Sequence, residues 1–327
     1  MSLKTLLQAI HDGLEQEMDR DDRVFILGED VGKMGGAFKV TEGLYQQFGD
    51  KRVRDTPISE SAIVGYAIGA ALMGMRPVAE MQFMDFISCG FDQIVNQAAT
   101  MAYRYGGETG VPMVVRGPSG AFGGGGLFHS QSPEAWFTHA PGLKVVVPAT
   151  PYDAKGLMVS AIRDNNPVIY FEHKYLYRNL KEDIPDEIYE VPLGKADIKR
   201  VGDDITIITY GLMVHHSQQA AQQLETEDGL SVEIVDLRTL SPLDRETIFE
   251  SVKKTNRVLL VQEDKYTGGI MSDVSAQITE NLFDQLDAPI MRVTAPDTPV
   301  PYAPTLEQFY MPNKDKIIAA ARKLAAY

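Results

Sequence analysis

Short, uniformly apolar runs alternate with helical patterns in the first half of the chain, and this alternation limits the folds open to it. Segments with helical periodicity cover residues 61–73 and 86–103. The apolar runs are predicted strands, at residues 24–27, 77–83, 113–115, 145–147 and 168–171. Strands that are apolar throughout are buried on both faces, as in a parallel sheet covered by helices. The pattern therefore predicts βαβ units and an α/β domain.

The alternation stops in a polar stretch at about residues 174–203, which carries Pro185 and Pro192 and is typical of a linker. It then restarts. Apolar runs return at residues 205–208, 232–235, 258–261 and 290–293, with helical patterns over 218–224, 245–253, 272–286 and from Asp315. The chain of 327 residues has room for two domains. We predict one α/β domain at residues 1–185, a linker at 186–203 and a second α/β domain at 204–327.

The charge of the chain bears on its partners. The formal net charge is −14, which argues against nucleic acid, because binding to phosphates draws affinity from Lys and Arg. A basic partner protein suits this charge better. The single cysteine, Cys89, has no partner for an internal disulfide, so a reducing cytoplasm is expected. No signal peptide is recognised at residues 1–20, and the longest apolar run, residues 62–75, is too short to cross a bilayer, so we expect no membrane contact.

A run of four glycines, residues 123–126, precedes His129. Neither a P-loop lysine nor a GxGxxG fingerprint accompanies it, so the nucleotide-binding interpretations fail. Glycines lose much entropy when they are ordered. The run predicts either a mobile or close-approach segment that leads into His129, or an ordinary surface loop. His129 is accordingly either a structural residue or a catalytic one.

Two acidic residues follow predicted elements at places where ligands gather. Glu29 follows the first strand, and Glu60 ends the segment Thr56-Pro57-Ile58-Ser59-Glu60 just before an apolar helix. Ligands of open parallel sheets bind at the carboxyl ends of the strands. A carboxyl group buried there has a raised pKa and can hold or shuttle a proton. The alternative is that Ser59 and Glu60 only cap the helix.

Several separated motifs together resemble one known family, the beta subunits of thiamine-diphosphate-dependent 2-oxo acid dehydrogenases. The resemblance runs from about residue 3 to the C-terminus in one order. The motifs are Gly28-Glu29-Asp30, Asp55-Thr56-Pro57-Ile58-Ser59-Glu60, Gln82-Phe83-Met84-Asp85-Phe86, His129-Ser130-Gln131-Ser132, Tyr152-Asp153-Ala154-Lys155-Gly156-Leu157, Arg163-Asp164-Asn165-Asn166-Pro167 and Val235-Asp236-Leu237-Arg238-Thr239. It implies a thiamine-diphosphate-binding α/β domain of the pyrimidine type, followed by a transketolase C-terminal-type α/β domain.

The resemblance also implies roles for individual residues. The glutamate matching Glu60 hydrogen-bonds the aminopyrimidine ring of the cofactor and so promotes formation of its nucleophile. The histidine matching His129 exchanges protons during acyl transfer to a lipoyl group, and His129 and Phe83 would contact the substrate. The other residues implied to line the cofactor are Glu29, Ile58, Ser59, Gln82 and Phe86, where many members have tyrosine in place of Phe86.

Metals and partners follow from the same resemblance. The family holds the diphosphate and its Mg²⁺ with a GDG motif that this chain lacks, so an alpha subunit would supply that half of the site in an α₂β₂ heterotetramer. A lipoylated acyltransferase would dock through its basic peripheral-subunit-binding domain. Some members bind a structural K⁺ ion through main-chain carbonyls, at positions that match Met113, Ala161, Ile162, Asp164 and Asn166.

The substrate remains open between related chemistries. Residues 171–174 resemble branched-chain members, residues 262–264 and 295–298 resemble pyruvate members, and residues 52–55, 84–86, 135–139 and 300–303 resemble acetoin dehydrogenases. The first hypothesis is oxidative decarboxylation of pyruvate or a branched-chain 2-oxo acid, with acetoin cleavage as the alternative. A hypothesis of another class is a non-catalytic subunit that only docks the acyltransferase. A self-sufficient transketolase and an NAD-dependent dehydrogenase fit less well.

Overall fold

The computed structural model describes residues 1–327, and the chain divides into two units. The first contains Met1–Gly120 and Trp136–Leu193, and the second contains Ala121–Ala135 and Gly194–Tyr327. Both are α/β, as the alternating pattern predicts. No helix has the length and apolar character needed to cross a membrane.

The first unit is built on a parallel sheet. Its strands are β1 (Ser2–Thr5), β2 (Val24–Gly28), β3 (Val53–Asp55), β4 (Arg76–Glu80), β5 (Val114–Ser119), β6 (Lys144–Val146), β7 (Val168–His173) and β8 (Lys181–Ile184). Within the sheet the order is β6, β7, β5, β4, β2, β3, with every neighbouring pair parallel. Strands β1 and β8 form a separate antiparallel pair. Strands β2, β5 and β7 are buried along their whole length, which is why their apolar residues run together without alternation.

The helices from the N-terminus through residue 179 are α1 (Leu6–Arg20), α2 (Leu44–Phe48), α3 (Glu60–Leu72), α4 (Ala99–Arg104), α5 (Glu134–Thr138), α6 (Pro151–Arg163) and α7 (Leu176–Asn179). Helix α1 was not predicted, although its start carries a signal. Thr5 and Gln8 form a capping box, in which each side chain bonds the main chain of the other residue.

The prediction of helical structure over residues 86–103 is confirmed, but the segment is not one regular α-helix. The structure has a 3-10 segment at Met84–Gly90, a π-helical segment at Gln93–Ala98 and only then α4. Met84, Ile87 and Gly90 are buried, and their spacing of three residues matches the period of a 3-10 helix. Gly90 lies so close to Val64 that an added Cβ would come within 3.0 Å of it.

The second unit has a mainly parallel sheet of its own. The strands of this unit are β9 (Asp197–Arg200), β10 (Ile205–Thr209), β11 (Val232–Asp236), β12 (Thr239–Ser241), β13 (Val258–Lys265) and β14 (Met291–Ala295), of which β12 lies outside this sheet. Its helices are α8 (Leu212–Asp228), α9 (Arg245–Thr255), α10 (Ile270–Leu282), α11 (Pro304–Tyr310) and α12 (Lys314–Ala325), with 3-10 turns at Gly126–Phe128 and Phe283–Gln285. The sheet order is β14, β13, β10, β11, β9, with β9 antiparallel at one edge.

Two features differ from the expected organisation of domains. Residues 121–135, expected in the first domain, pack with the second unit. Asp197–Arg200, expected within the linker, form the edge strand β9 instead. Its side chains are only partly buried, so its sequence lacks the apolar run by which the other strands were recognised.

Candidate active site

The carboxyl ends of β2, β3 and β4 bring several candidate residues to one edge of the first sheet. Gly28, the last residue of β2, is paired in register with Asp55 of β3 on one side and with Glu80 of β4 on the other. Glu29 therefore begins the loop after β2. At the same edge of the sheet, the Thr56–Glu60 segment follows β3, and Gln82 lies just after β4. This edge is where an α/β sheet binds its ligand.

Glu29 and Glu60 interact electrostatically at this edge. Glu29 is buried, with 7% of its surface exposed, while Glu60 is half-buried at the start of α3. Burial raises the pKa of Glu29, and the negative charges of Glu60 and then Asp30 raise it further. A carboxyl group with a raised pKa at this edge is suited to hold a proton.

The segment before α3 is not a conventional helix cap. Ser59 occupies the N-cap position, but its side chain makes no hydrogen bond to the first turn. The hydroxyl oxygen of Thr56 is buried without a hydrogen-bond partner. Ile58 is 83% exposed, which is costly for a large apolar side chain. These polar and apolar groups are left available for a ligand.

A cavity of about 450 Å³ lies against this segment, with Thr56, Ser59, Ala62 and Tyr66 among its lining residues. The side chain of Arg54, which also lines it, donates to the hydroxyl of Tyr66 at 2.9 Å. The main-chain nitrogen of Gly32 donates to Asp55 at 2.6 Å. An added Cβ on Gly32 would come within 2.5 Å of the Asp55 carboxylate, so this close approach requires glycine.

An aromatic row lies beside the site. The ring centroids of Phe83 and Phe86 are 6.3 Å apart and those of Phe83 and Phe38 are 5.4 Å apart, both edge to face. The ammonium group of Lys174 lies 5.9 Å from the centroid of Phe83. Phe83 and Phe86 are half-buried, so parts of both rings stay accessible. The structure thus brings together the two phenylalanines implied for substrate and cofactor.

Behind this edge lies a buried ion cluster that the sequence analysis missed. The Arg116 guanidinium pairs with both Glu80 and Glu172, and the Tyr177 hydroxyl donates to Glu172 at 2.6 Å. All four side chains are buried. Burial raises the pKa of Glu80, and Arg116 opposes that rise. The cluster joins strands β4, β5 and β7, so it fixes the strand ends from which Gln82 and Phe83 follow.

The glycine loop that leads to His129 is a close-approach segment of the second unit. Gly123, Gly124 and Gly126 all have positive φ, between 62° and 77°. An added Cβ on Gly126 would lie 2.2 Å from the ring of Tyr302, so only glycine fits there. The main-chain nitrogen of Gly124 donates to the Glu307 carboxylate at 2.8 Å.

Glu263 fastens the same loop at its two ends. This buried carboxylate accepts hydrogen bonds from the main-chain nitrogen of Ala121 at 2.6 Å and the hydroxyl of Ser132 at 3.1 Å. His129 itself is half-buried. It belongs to the second unit, whereas Glu29 and Glu60 belong to the first.

Glu134 is a second group that sequence reasoning missed. Its side chain is 3% exposed, and one carboxyl oxygen has no hydrogen-bond partner. Burial raises the pKa of Glu134 far above its usual range, and the charge of Asp264 adds to the rise. A glutamate at the first position of a short helix gives no sign of such burial in sequence.

The turn after α6, which the resemblance implies as the K⁺ site, already binds the guanidinium group of Arg76. Arg76 donates to the main-chain oxygens of Ile162 at 2.8 Å and Asp164 at 2.9 Å, and to the Asn165 side chain at 2.7 Å. Lys144 pairs with the Asp164 carboxylate. The main-chain oxygen of Met113 accepts from the Val168 nitrogen at 3.0 Å. Three of the five implied carbonyls therefore have donors within the chain.

Comparison with known proteins decides the family. Residues 4–179 match the transketolase pyrimidine binding domain, and residues 194–317 match the transketolase C-terminal domain. The chain is 55% identical, over 328 residues and 100% of both proteins, to the 2-oxoisovalerate dehydrogenase subunit beta of Bacillus subtilis (strain 168). The chain belongs to the dehydrogenase beta subunits of the transketolase-like family.

Other relatives carry related activities in their names. The pyruvate dehydrogenase E1 component subunit beta of Bacillus subtilis (strain 168) is 48% identical over 330 residues, with both proteins fully covered. The acetoin:2,6-dichlorophenolindophenol oxidoreductase subunit beta of Cupriavidus necator is 50% identical, covering 96% of this chain and 95% of that protein. A solved structure titled split gene transketolase, inactive beta4 tetramer, has a TM-score of 0.80 at 22% identity, covering 99% of this chain and 98% of that one, which shows the shared fold.

Membership of this beta-subunit family confirms the predicted resemblance and fold class. The family is thiamine-diphosphate-dependent and catalytic together with an alpha subunit. The residues at the sheet edge fit an aminopyrimidine ring. Glu60 offers a carboxyl group, the Thr56 hydroxyl lacks a partner, and the side chains of Ile58 and Phe86 offer apolar surface.

Proposed function

We propose that this beta subunit takes part in the oxidative decarboxylation of a 2-oxo acid, with transfer of the acyl group to a lipoylated acyltransferase. The observation that carries the proposal is the full-length 55% identity to the 2-oxoisovalerate dehydrogenase subunit beta. Because identity to the pyruvate relative is lower, at 48%, we place a branched-chain 2-oxo acid before pyruvate as the substrate.

Glu60 is the proposed proton-transfer residue at the cofactor. Thiamine diphosphate, when bound, supplies the nucleophilic carbon and accepts the electrons left by decarboxylation. Glu60 would hydrogen-bond the aminopyrimidine ring from the first turn of α3. Glu29, with its raised pKa, would keep a proton available beside it. Ile58, Ser59, Gln82 and Phe86 would hold the ring in place.

His129 is the proposed proton donor and acceptor during acyl transfer, and Phe83 is the proposed substrate contact. The support for His129 is its loop, which is fixed at Ala121, Gly124 and Ser132 by buried carboxylates. A fixed loop holds a general acid or base in one place, which proton transfer requires. The same loop would border the entry of the lipoyl arm.

The assembly and the ions form the rest of the proposal. We propose an α₂β₂ heterotetramer in the cytoplasm, with Mg²⁺ and the diphosphate held mainly by the alpha subunit, and an acyltransferase docked through its basic peripheral-subunit-binding domain. The net charge of −14 supports a basic partner. A K⁺ ion at the turn of Asp164 and Asn166 would have to share carbonyl oxygens with Arg76.

Acetoin cleavage is the second candidate, favoured by the 50% identity to the acetoin-oxidising relative. Its chemistry differs in the group released, which is acetaldehyde instead of carbon dioxide. A purely architectural role is less well supported, because the close relatives are named as subunits of enzymes.

The test is to produce the chain together with its alpha subunit, add thiamine diphosphate and Mg²⁺, and follow dye reduction with 2-oxoisovalerate, pyruvate and acetoin. We expect turnover of 2-oxoisovalerate to exceed that of pyruvate, and none when thiamine diphosphate is omitted. Turnover of acetoin alone would replace the proposal with the second candidate. An assembled complex that binds the cofactor and turns over none of the three would contradict both.

A further inference from the structure

A polar cavity of about 550 Å³ lies in the first unit, between the start of α1 and the loop after β2. Four of its lining residues carry basic side chains: His11, Lys39, Arg178 and Lys181. The lining includes one carboxylate, Glu42. None of these residues is among those proposed for the cofactor, the substrate or the metal ions.

The cations of this cavity are not neutralised. Lys39 is half-buried, whereas Arg178 and Lys181 are exposed, and none of the three has a carboxylate within ion-pair distance, although the chain as a whole has a net charge of −14. Lys39, Arg178 and Lys181 carry three positive charges and Glu42 carries one negative charge. The formal charge of the cavity lining is therefore +2 when His11 is counted as neutral. Such a concentration of one sign raises the local concentration of anions.

Main-chain oxygens of the loop at residues 34–40 hold three of these basic side chains in position, those of His11, Lys39 and Arg178. Lys39 donates to the oxygen of Met34 at 2.5 Å, and Arg178 donates to that of Phe38 at 2.9 Å. The ring nitrogen Nδ1 of His11 lies 2.8 Å from the oxygen of Val40. Carbonyl oxygens orient a cation without cancelling its charge. Arg178 uses one of its five N–H donors in this way, so the others remain available.

The backbone at Lys39 adds a second sign of function. Its φ is +72°, in the left-handed region that residues with a side chain seldom occupy. Residues held in such a conformation concentrate at ligand-binding sites. The N-terminus of α1 contributes less to anion binding, because the side chains of Thr5 and Gln8 already cap its first turn. The positive character of the cavity therefore comes from its side-chain cations and not from the helix terminus.

We propose that this cavity binds a small phosphate-bearing anion, such as a phosphate ester or a diphosphate. The formal charge of +2 matches a phosphate dianion, and an arginine with free N–H groups beside two lysines is suited to phosphate oxygens. Arg178 also holds the main chain of Phe38, whose ring packs on Phe83 at 5.4 Å. An anion bound here therefore contacts the support of the aromatic row at the candidate active site.

The test is isothermal titration calorimetry of the full-length chain with inorganic phosphate and with pyrophosphate, at low ionic strength. We expect saturable 1:1 binding that weakens as salt is added. Lys181→Glu reverses a charge without removing any side-chain hydrogen bond, and we expect it to weaken binding about tenfold. Glu42→Gln removes the one opposing charge and should strengthen binding, by up to about fivefold.

Lys323→Glu is the matched control, since Lys323 is an exposed lysine on α12 in the second unit. It should leave binding unchanged. The proposal is overturned by the absence of saturable binding in the unaltered chain. It is equally overturned if Lys181→Glu and Lys323→Glu weaken binding to the same extent, because the binding would then depend on net charge alone. The measurement needs no alpha subunit and no turnover, so its result is independent of the proposed function.

Discussion

The hydroxyl of Ser61 donates a 2.5 Å hydrogen bond to the main-chain oxygen of Cys89. The bond fastens the first turn of α3, which begins at Glu60, to the 3-10 segment that carries Phe86. Glu60 and Phe86, both proposed to contact the aminopyrimidine ring, lie on elements that this one contact holds together. The donor lies next to Glu60 in sequence and the acceptor three residues after Phe86.

Ser61→Ala should loosen that contact. A hydrogen bond of this kind contributes about 1 kcal/mol net, so we expect a small drop in thermal stability. The affinity for thiamine diphosphate in the complex with the alpha subunit should fall severalfold, with kcat at saturating cofactor little changed. Ser275→Ala, at a half-buried serine of α10 in the second unit, is the control. Unchanged cofactor affinity in Ser61→Ala would show that the bond does not position the site.

Glu29 should make the stability of the chain depend on pH. Because its pKa in the fold is raised above the ordinary 4.5, first by burial and then by Glu60, the fold favours the protonated form. The stability that this preference adds is present below pH 4.5 and is lost as the pH rises through the raised pKa.

Glu29→Gln removes that loss, so the variant should gain stability relative to the unaltered chain at neutral pH and not at pH 4. Chemical denaturation at a series of pH values measures the difference. Glu250→Gln, an exposed glutamate of α9, should show no such trend. A stability difference for Glu29→Gln that does not vary with pH would contradict the raised pKa.

Arg76 should stabilise the turn at residues 162–165. Arg76→Met leaves two main-chain oxygens without their charged donor, and we expect a cost of about 2 kcal/mol in the free energy of unfolding. If K⁺ shares this turn, added KCl should recover more stability in the variant than NaCl does. Arg104→Met, on the exposed end of α4, serves as control. An equal response to both salts would remove the K⁺ ion from the proposal.

His129→Ala should separate the two halves of the reaction. We expect decarboxylation with an artificial electron acceptor to continue, while reductive acylation of a lipoylated domain falls at least about a hundredfold. His216→Ala, on α8, is the matched histidine control. Normal acylation by the His129 variant would exclude this residue from acyl transfer.

The strands that contain uniformly apolar runs were predicted correctly, because a strand that is buried on both faces consists mainly of apolar residues. The same reasoning placed Glu29 and Glu60 at the sheet edge, since the carboxyl ends of parallel strands meet there. There, burial and the negative charge of Glu60 raise the pKa of Glu29. Their chemical roles came only from resemblance to a family, because an acid at a strand end is compatible with many reactions.

What sequence reasoning missed depends on contacts between distant residues. Arg116 pairs with Glu80 and Glu172, which lie 36 and 56 residues away, and nothing local marks them as partners. The loop with His129 joins the second unit through Glu263 and Glu307, 142 and 183 residues from their partners. The segment over residues 86–103 was predicted to be helical, but its apolar spacing alone does not distinguish 3-10 and π turns from an α-helix.

The central claim is that Glu60 of this beta subunit drives proton transfer at thiamine diphosphate, and Glu60→Gln in the complex with the alpha subunit tests it most directly. The substitution keeps the shape of the side chain and removes its acid. We predict that the variant complex assembles and binds the cofactor, while turnover of the 2-oxo acid falls at least about a hundredfold. Glu108→Gln, at an exposed glutamate of the same unit, is the control and should leave turnover unchanged. Turnover by Glu60→Gln at the level of the unaltered complex would contradict the claim.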